Sequence, residues 1–114
     1  MLNVMHELSL TQNLLELALS HADGRKIVGV YLMIGELSDE RPESIQFYWN
    51  DITKGTLAEG AELRFQPVTA KMECLQCGTI FRPEESVAEC PDCKSFRVKL
   101  LSGDDIRLAG IDVE

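Results

Sequence analysis

The sequence of 114 residues predicts an α+β fold: a small core of two helices and a sheet of about three strands, with a second module inserted. Three observations predict it. Two segments carry apolar residues at helical spacing, three others alternate apolar and polar residues as strands do, and all four cysteines precede the last of these strands. We expect residues 1–70 and 102–114 to form the α+β domain and residues 71–101 the inserted one.

Composition and charge exclude several classes of protein. Hydrophobic residues make up 45% of the chain and charged residues 26%, which is usual for a globular protein. The net charge of −8 argues against a nucleic-acid partner, because such proteins carry a basic face. No stretch approaches the roughly 20 apolar residues of a membrane span, and the start lacks the basic region of a signal peptide. We expect a cytoplasmic protein.

The first helix and strand are predicted from periodicity. Apolar residues recur at three- and four-residue steps from Glu7 to Ala22, which predicts an amphipathic helix that ends before Gly24. Residues 27–34 alternate, with β-branched residues on one face, and predict a strand that is buried on that face. The residues expected on the buried face are Val28, Val30, Leu32 and Ile34.

A second helix and further strands complete the predicted elements. Pro42 and Glu43 suit the first turn of a helix, which buries Ile45 and Trp49 and ends near Gly55. Further strands are expected within residues 61–67, 79–81, 96–101 and 106–113, the last with a bulge near Gly110 that returns to the main sheet.

Two Cys-x-x-Cys pairs predict a tetrahedral metal site. The four cysteines are Cys74, Cys77, Cys90 and Cys93, and the chain has no others. Doubled pairs at this spacing are typical of structural zinc, whereas a redox pair of thioredoxin type occurs singly. Gly78 and Pro91 suit the tight turns that such ligand pairs need. We therefore interpret residues 71–101 as a zinc ribbon, whose closed set of four sulfurs leaves no position for a substrate.

A second candidate site is Met5-His6-Glu7, before the first helix. In a chain that begins Met-His, the terminal amine, the next amide nitrogen and the imidazole form one chelate, which suits square-planar Ni²⁺ or Cu²⁺. Glu7 is then an acceptor for the second imidazole nitrogen or a further ligand. From these residues alone, the solvated first turn of a helix is the simpler interpretation.

No arrangement of residues indicates catalysis. The chain has two histidines, and zinc takes every cysteine, so no nucleophile with a partner base can be argued from spacing. The acidic pairs Asp39-Glu40 and Glu84-Glu85 are expected on solvated faces. Lys94, Arg97 and Lys99 form a small basic edge, which we interpret as a solvated hairpin in preference to a docking patch.

Four motifs together resemble the HypA/HybF family. They are Met5-His6-Glu7-Leu8-Ser9-Leu10, Ile34-Gly35-Glu36-Leu37-Ser38, the doubled cysteine pairs, and Ile111-Asp112-Val113-Glu114. Members of that family are nickel metallochaperones, not enzymes, that help insert nickel into NiFe-hydrogenase, and in some organisms urease, with the GTPase HypB. The resemblance implies a nickel site at Met5, His6 and Glu7 and structural zinc on the four cysteines. The predicted partners are a HypB-type GTPase and the hydrogenase large subunit. A monomer and a homodimer that forms through exposed sheet edges both stay open.

Four residues, Met1 to Val4, precede the Met-His-Glu motif, which begins the chain in family members. In a form that begins at Met5, the terminal-amine chelate is intact. In a form that begins at Met1, that nitrogen belongs to a peptide bond, which leaves His6, Glu7 and backbone amides as a reshaped site. Two hypotheses stay open: nickel delivery with His6 as the principal ligand, and a zinc-ribbon adaptor that recruits a partner protein without nickel.

Overall fold

The computed structural model of the chain describes residues 2–83 and 89–114, with side chains from His6 onward. Its elements are α1 (Leu2–Ala22), β1 (Ile27–Gly35), α2 (Pro42–Ile52), β2 (Glu62–Val68), β3 (Lys71–Cys74), β4 (Ile80–Phe81), β5 (Val98–Ser102) and β6 (Ile106–Val113). The α+β fold class is confirmed. Neither helix of this described part combines the length and the apolar character needed to cross a bilayer.

Helix α1 is longer than the sequence predicted. It begins at Leu2, not Glu7, and ends at Ala22 as predicted. The two residues after the helix have left-handed backbone conformations, with φ of 53° at Asp23 and 80° at Gly24. Its buried side includes Ala18, which is fully inaccessible to solvent, and the helix packs against α2 and β6. This helix therefore places His6 in its second turn rather than at its start.

The first sheet has the strand order β2-β1-β6. Backbone hydrogen bonds at the two ends of β1 show that β2 runs parallel to it and β6 antiparallel. These bonds are Ile27 N to Leu57 O (2.9 Å), Glu36 N to Val68 O (2.9 Å), Gly35 N to Asp105 O (2.8 Å) and Glu114 N to Lys26 O (2.9 Å). Helix α2 is the crossover that a parallel β1–β2 pair requires. The predicted return of the last strand to the main sheet is confirmed.

The buried face of β1 differs from the prediction at one position. Val28 is 42% exposed, whereas Ile27 and Val30, three residues apart, are both completely buried. The strand therefore changes phase around Gly29, where an added Cβ would lie 3.2 Å from Asp112 Oδ2. The expectation of a buried Val28 was wrong, because the alternating burial from Val30 to Ile34 does not extend to the start of β1.

A second sheet, with the order β4-β3-β5, carries the cysteines. Both neighbours of β3 are antiparallel to it. The chain forms two compact units: the first comprises Met1–Met33, Asp39–Gln66 and Ile106–Glu114, and the second Ile34–Ser38 and Pro67–Asp105. The predicted domain boundaries at residues 70 and 102 stay a prediction.

The Ile34-to-Ser38 motif belongs to the second unit because of a backbone contact. A Cβ added to Gly35 would lie 2.2 Å from the carbonyl carbon of Gly103, so only glycine fits there. Two residues after Gly35, the Leu37 N–H donates to Gly103 O at 2.7 Å. The motif is therefore a place where two backbone segments touch, which explains its glycine on structural grounds alone.

Candidate metal centres

The four cysteine sulfurs converge in the second unit. Their Sγ atoms all lie within 4.8 Å of one another, with 3.5 Å between Cys74 and Cys93 and 3.6 Å between Cys77 and Cys90. Zinc–sulfur bonds of about 2.3 Å place tetrahedral ligands about 3.8 Å apart. Cys74 and Cys90 are buried, and Cys77 and Cys93 are exposed. The geometry and chemistry of this four-cysteine cluster fit a zinc ion.

Two similar turns carry the ligand pairs. In the first turn the Gly78 N–H donates to Cys74 O at 2.9 Å, and the Gln76 N–H points at Cys74 Sγ at 3.4 Å. In the second, the Lys94 N–H donates to Cys90 O at 3.0 Å. The two residues whose N–H groups close the turns both have a left-handed backbone conformation, with φ of 80° at Gly78 and 64° at Lys94. The left-handed conformation expected at Gly78 is confirmed, whereas sequence reasoning missed the same conformation at Lys94.

The surroundings of the sulfurs shift the pKa values of Cys77 and Cys93 in opposite directions. Hydrogen bonds with the side chain and the backbone of Thr79 lower the pKa of Cys77 to about 6. A backbone hydrogen bond at Ser95 lowers the pKa of Cys93, but desolvation and the neighbouring sulfurs outweigh it and raise that pKa to about 12. Four thiolates at this separation repel one another, so all four deprotonate only around a cation.

His6 lies in a different kind of environment, in the first unit. Its side chain is 66% exposed, and its Nε2 lies 2.7 Å from Oε1 of Glu40, whose side chain is only 10% exposed. A neutral imidazole that donates through Nε2 keeps Nδ1 as its free lone pair. The carboxylate therefore orients the ring and leaves one nitrogen available to a metal ion.

Glu7 is buried, in contrast to the solvated helix start that the simpler interpretation predicted. It is 8% exposed, and its Oε2 accepts a hydrogen bond from the Arg41 N–H at 3.2 Å. Arg41 is the N-cap residue of α2 and makes no side-chain cap of its own. A carboxylate at a helix N-terminus is favourable because it faces unpaired N–H groups. Glu7 therefore caps α2, and Glu40 accepts from His6 instead.

Sequence reasoning missed Glu40 in this site. The pair Asp39-Glu40 was expected on a solvated face, yet the Glu40 side chain is nearly buried beside His6. No local pattern signals this contact, because the two residues lie far apart in the chain. The second acidic pair, Glu84-Glu85, lies outside the described residues.

Comparison with known proteins identifies the family. The family described as "Hydrogenase/urease nickel incorporation, metallochaperone, hypA" matches residues 5–113. The chain belongs to the HypA family. The Hydrogenase maturation factor HypA of Geobacter sulfurreducens is 41% identical over 110 residues, which cover 96% of this chain and 100% of the relative. The HypA of Caldanaerobacter subterraneus subsp. tengcongensis is 39% identical over 114 residues, with coverage of 96% and 100%.

Two solved structures share the fold of this HypA-family chain. A "Solution structure of HypA protein" matches with a TM-score of 0.76 and 26% identity, covering 96% of this chain and 97% of that one. The Ni metallochaperone HypA from Helicobacter pylori matches with a TM-score of 0.72 and 24% identity, covering 94% and 96%, and supports the fold alone.

Family membership establishes the general role. HypA proteins are nickel incorporation metallochaperones of hydrogenase maturation, they act with other maturation proteins, and they are not enzymes. The individual ligands Met5, His6 and Glu7 for nickel, and Cys74, Cys77, Cys90 and Cys93 for zinc, stay predictions. For Met5 only the backbone, within α1, is described.

Proposed function

We propose that this HypA-family chain binds Ni²⁺ at Met5-His6-Glu7 and delivers it during maturation of NiFe-hydrogenase. The observation that carries this proposal is the His6 imidazole, which Glu40 orients through Nε2 while the side chain stays 66% exposed. A cargo ion must be released to a partner, and an exposed donor allows the partner to reach it. The four cysteines hold a structural zinc ion.

The chelate uses nitrogen donors around one chain segment. His6 supplies Nδ1 and its own amide nitrogen, and Met5 supplies an amine or amide nitrogen; this set favours a square-planar ion. In the full chain α1 begins at Leu2, and a helical residue at position 6 donates its N–H to the carbonyl of residue 2. Nickel binding therefore has to open the first turn of α1 in this form.

A form that begins at Met5 removes that obstacle. The first N–H groups of a helix have no acceptor within it, so the amide of His6 is free for the metal when residues 1–4 are absent. The amine of Met5 is then also available. We infer that this form binds nickel more tightly than the full chain.

Glu7 is proposed as a further oxygen ligand, since Glu40 takes the orienting contact with the imidazole. Because its Oε2 accepts from the Arg41 N–H, direct coordination exchanges that hydrogen bond for a metal bond. Glu7 is therefore the weakest of the three proposed ligands, and His6 is the principal one.

The partners follow from the family role. We propose a HypB-type GTPase and the hydrogenase large subunit as partners, a homodimer, and action in the cytoplasm. The family description, which pairs hydrogenase with urease, supports a further role in urease maturation.

The experiment is a nickel titration of zinc-loaded protein in two forms, one that begins at Met1 and one at Met5. We expect binding of one nickel per chain with a square-planar d–d spectrum, tighter in the Met5 form. His6→Ala abolishes it without unfolding the protein. His21→Ala, which removes the other, exposed histidine, leaves it unchanged. Loss of far-ultraviolet helical signal on nickel binding is expected in the Met1 form only.

Failure of this titration has a clear meaning. If neither form binds nickel more tightly than a generic surface histidine, or if His6→Ala retains full affinity, the nickel site is wrong. The chain is then better described as a zinc-ribbon adaptor that recruits a partner protein.

A further inference from the structure

Strand β5 (Val98–Ser102) is an edge strand of the second sheet. The order β4-β3-β5 leaves one side of β5 without a strand among the described residues. The Leu75 N–H donates to Arg97 O at 2.8 Å, so the backbone groups of Arg97, and of Lys99 by alternation, point toward β3. The backbone N–H and C=O groups of Leu100, the residue after Lys99, therefore point away from β3, to the open side of β5. An unpaired edge of this kind is a template for another strand.

The two faces at this edge differ in chemistry. Arg97 and Lys99 are both exposed and share one face, because alternate residues of a strand project to the same side. On the other face Phe96 is 72% exposed, beside the half-buried Val98 and Leu100. A cationic face and an apolar face therefore meet at an open backbone edge.

The two cations lack ion-pair partners within the described part of the chain. Glu73 lies opposite Lys99 in the register of β3 and β5, but the ion pairs between side chains in that part lie elsewhere, for example between Arg82 and Glu36. Two exposed cations on one face of an open edge favour an acidic occupant there.

We propose that the β5 edge binds an extended acidic segment of a partner protein as an added strand, in which carboxylates alternate with apolar residues. Its main chain pairs with the open backbone groups of Leu100. Its carboxylates lie beside Arg97 and Lys99, and its apolar side chains pack on Phe96. This inference does not depend on the nickel site, and it gives the cysteine-bearing unit a role in partner recognition.

The test uses full-length, zinc-loaded protein and a fluorescent peptide, acetyl-(Val-Glu)₃-amide. The double variant R97E/K99E is compared with R25E/K54E, which changes the net charge equally at two exposed residues of the first unit. We expect binding about tenfold weaker in R97E/K99E, because two attractions become repulsions, and within about twofold of wild type in the control. Equal loss in both variants, or in neither, overturns the proposal.

Strand addition makes a second, independent prediction. Two versions of the peptide carry N-methyl groups either on all Val amides or on all Glu amides, and these two sets of N–H groups lie on opposite edges of an extended chain. We expect one version to lose binding and the other to keep it, with the amide resonance of Leu100 shifted by the binding peptide. Equal binding by both versions overturns an added strand.

Two controls keep the result interpretable. Zinc content and amide spectra show whether each variant folds; if R97E/K99E fails to fold, the single neutralisations Arg97→Gln and Lys99→Gln replace it. Sedimentation of the protein without peptide shows whether the edge pairs with a second copy. A concentration-dependent dimer that R97E/K99E abolishes identifies the occupant as this chain itself and overturns the acidic partner segment.

Discussion

The four-cysteine cluster and the His6 site, defined as His6, Glu7 and Glu40, are opposite kinds of donor set. The cluster brings four sulfurs within 4.8 Å of one another, two of them buried. The His6 site offers one exposed imidazole held by one carboxylate. A closed set of four ligands fills every coordination position of the ion and retains it. An open set leaves positions for further ligands and can release the ion. This difference fits the proposed roles, a retained structural ion at the cysteines and a released cargo ion at His6.

Loss of a buried sulfur has the largest expected effect. Cys90 is completely buried, so Cys90→Ser leaves the proposed zinc ion with three thiolates. We expect zinc affinity to fall more than about 100-fold, since even residues that only support metal ligands contribute 10- to 100-fold. The amide resonances of the second unit should lose their dispersion. Chelator competition and NMR measure the two effects, and His6→Ala, which should change neither, is the matched control.

Metal binding to the cysteine cluster should strengthen as pH rises. With a pKa of about 6, Cys77 is mostly thiolate at pH 7, whereas Cys93, at about 12, still carries a proton that the metal must displace. Each displaced proton changes affinity by about tenfold per pH unit. We expect a steeper fall below about pH 6, where Cys77 also protonates. Calorimetry in two buffers of different ionisation enthalpy should detect proton release at pH 7; no release would contradict these pKa directions.

Substitutions at Glu7 and at His6 should change the free energy of unfolding by different amounts. Glu7→Ala removes the acceptor of the Arg41 N–H at the start of α2 and should lower the free energy of unfolding by about 1–2 kcal/mol. Glu7→Gln keeps an oxygen there and should cost less. His6→Ala, at an exposed position, should stay within about 0.5 kcal/mol. Urea denaturation measures all three, and an equal effect of His6→Ala and Glu7→Ala would show that His6 is also a structural residue.

The smallest predicted effects distinguish the two cysteine turns. Gly78 has φ of 80°, with open space where a Cβ would lie, so Gly78→Ala carries only the conformational cost of about 1 kcal/mol. Lys94 already adopts φ of 64°, and Lys94→Gly should relieve part of that cost, by up to about 1 kcal/mol. Thermal denaturation of the zinc-loaded protein should move in opposite directions for the two variants. Movement in the same direction would mean that side-chain contacts dominate the turns.

Local patterns predicted most of the fold. The end of α1 at Ala22 and the left-handed Gly78 both depend on residues close together in sequence, where spacing and glycine chemistry are visible. The cysteine cluster was predictable for the same reason, because the residue type and the spacing of its four ligands are visible in the sequence.

The errors concern contacts between distant residues. The exposure of Val28 at the start of β1 depends on packing that the alternation along the strand does not reveal. The burial of Glu7 and the approach of Glu40 to His6 depend on how the segment before α2 meets α1. Lys94 shows a further limit, since no residue type other than glycine signals a left-handed conformation strongly.

The most direct test of two unlike metal centres is a chelator challenge. Protein loaded with one nickel and one zinc is exposed to EDTA at pH 7, and intact-protein mass spectrometry follows both metals over time, with His6→Ala alongside. We predict that nickel leaves first while zinc is retained, and that His6→Ala holds zinc but no nickel. Loss of both metals together, or nickel retained by His6→Ala on the cysteine sulfurs, would contradict it.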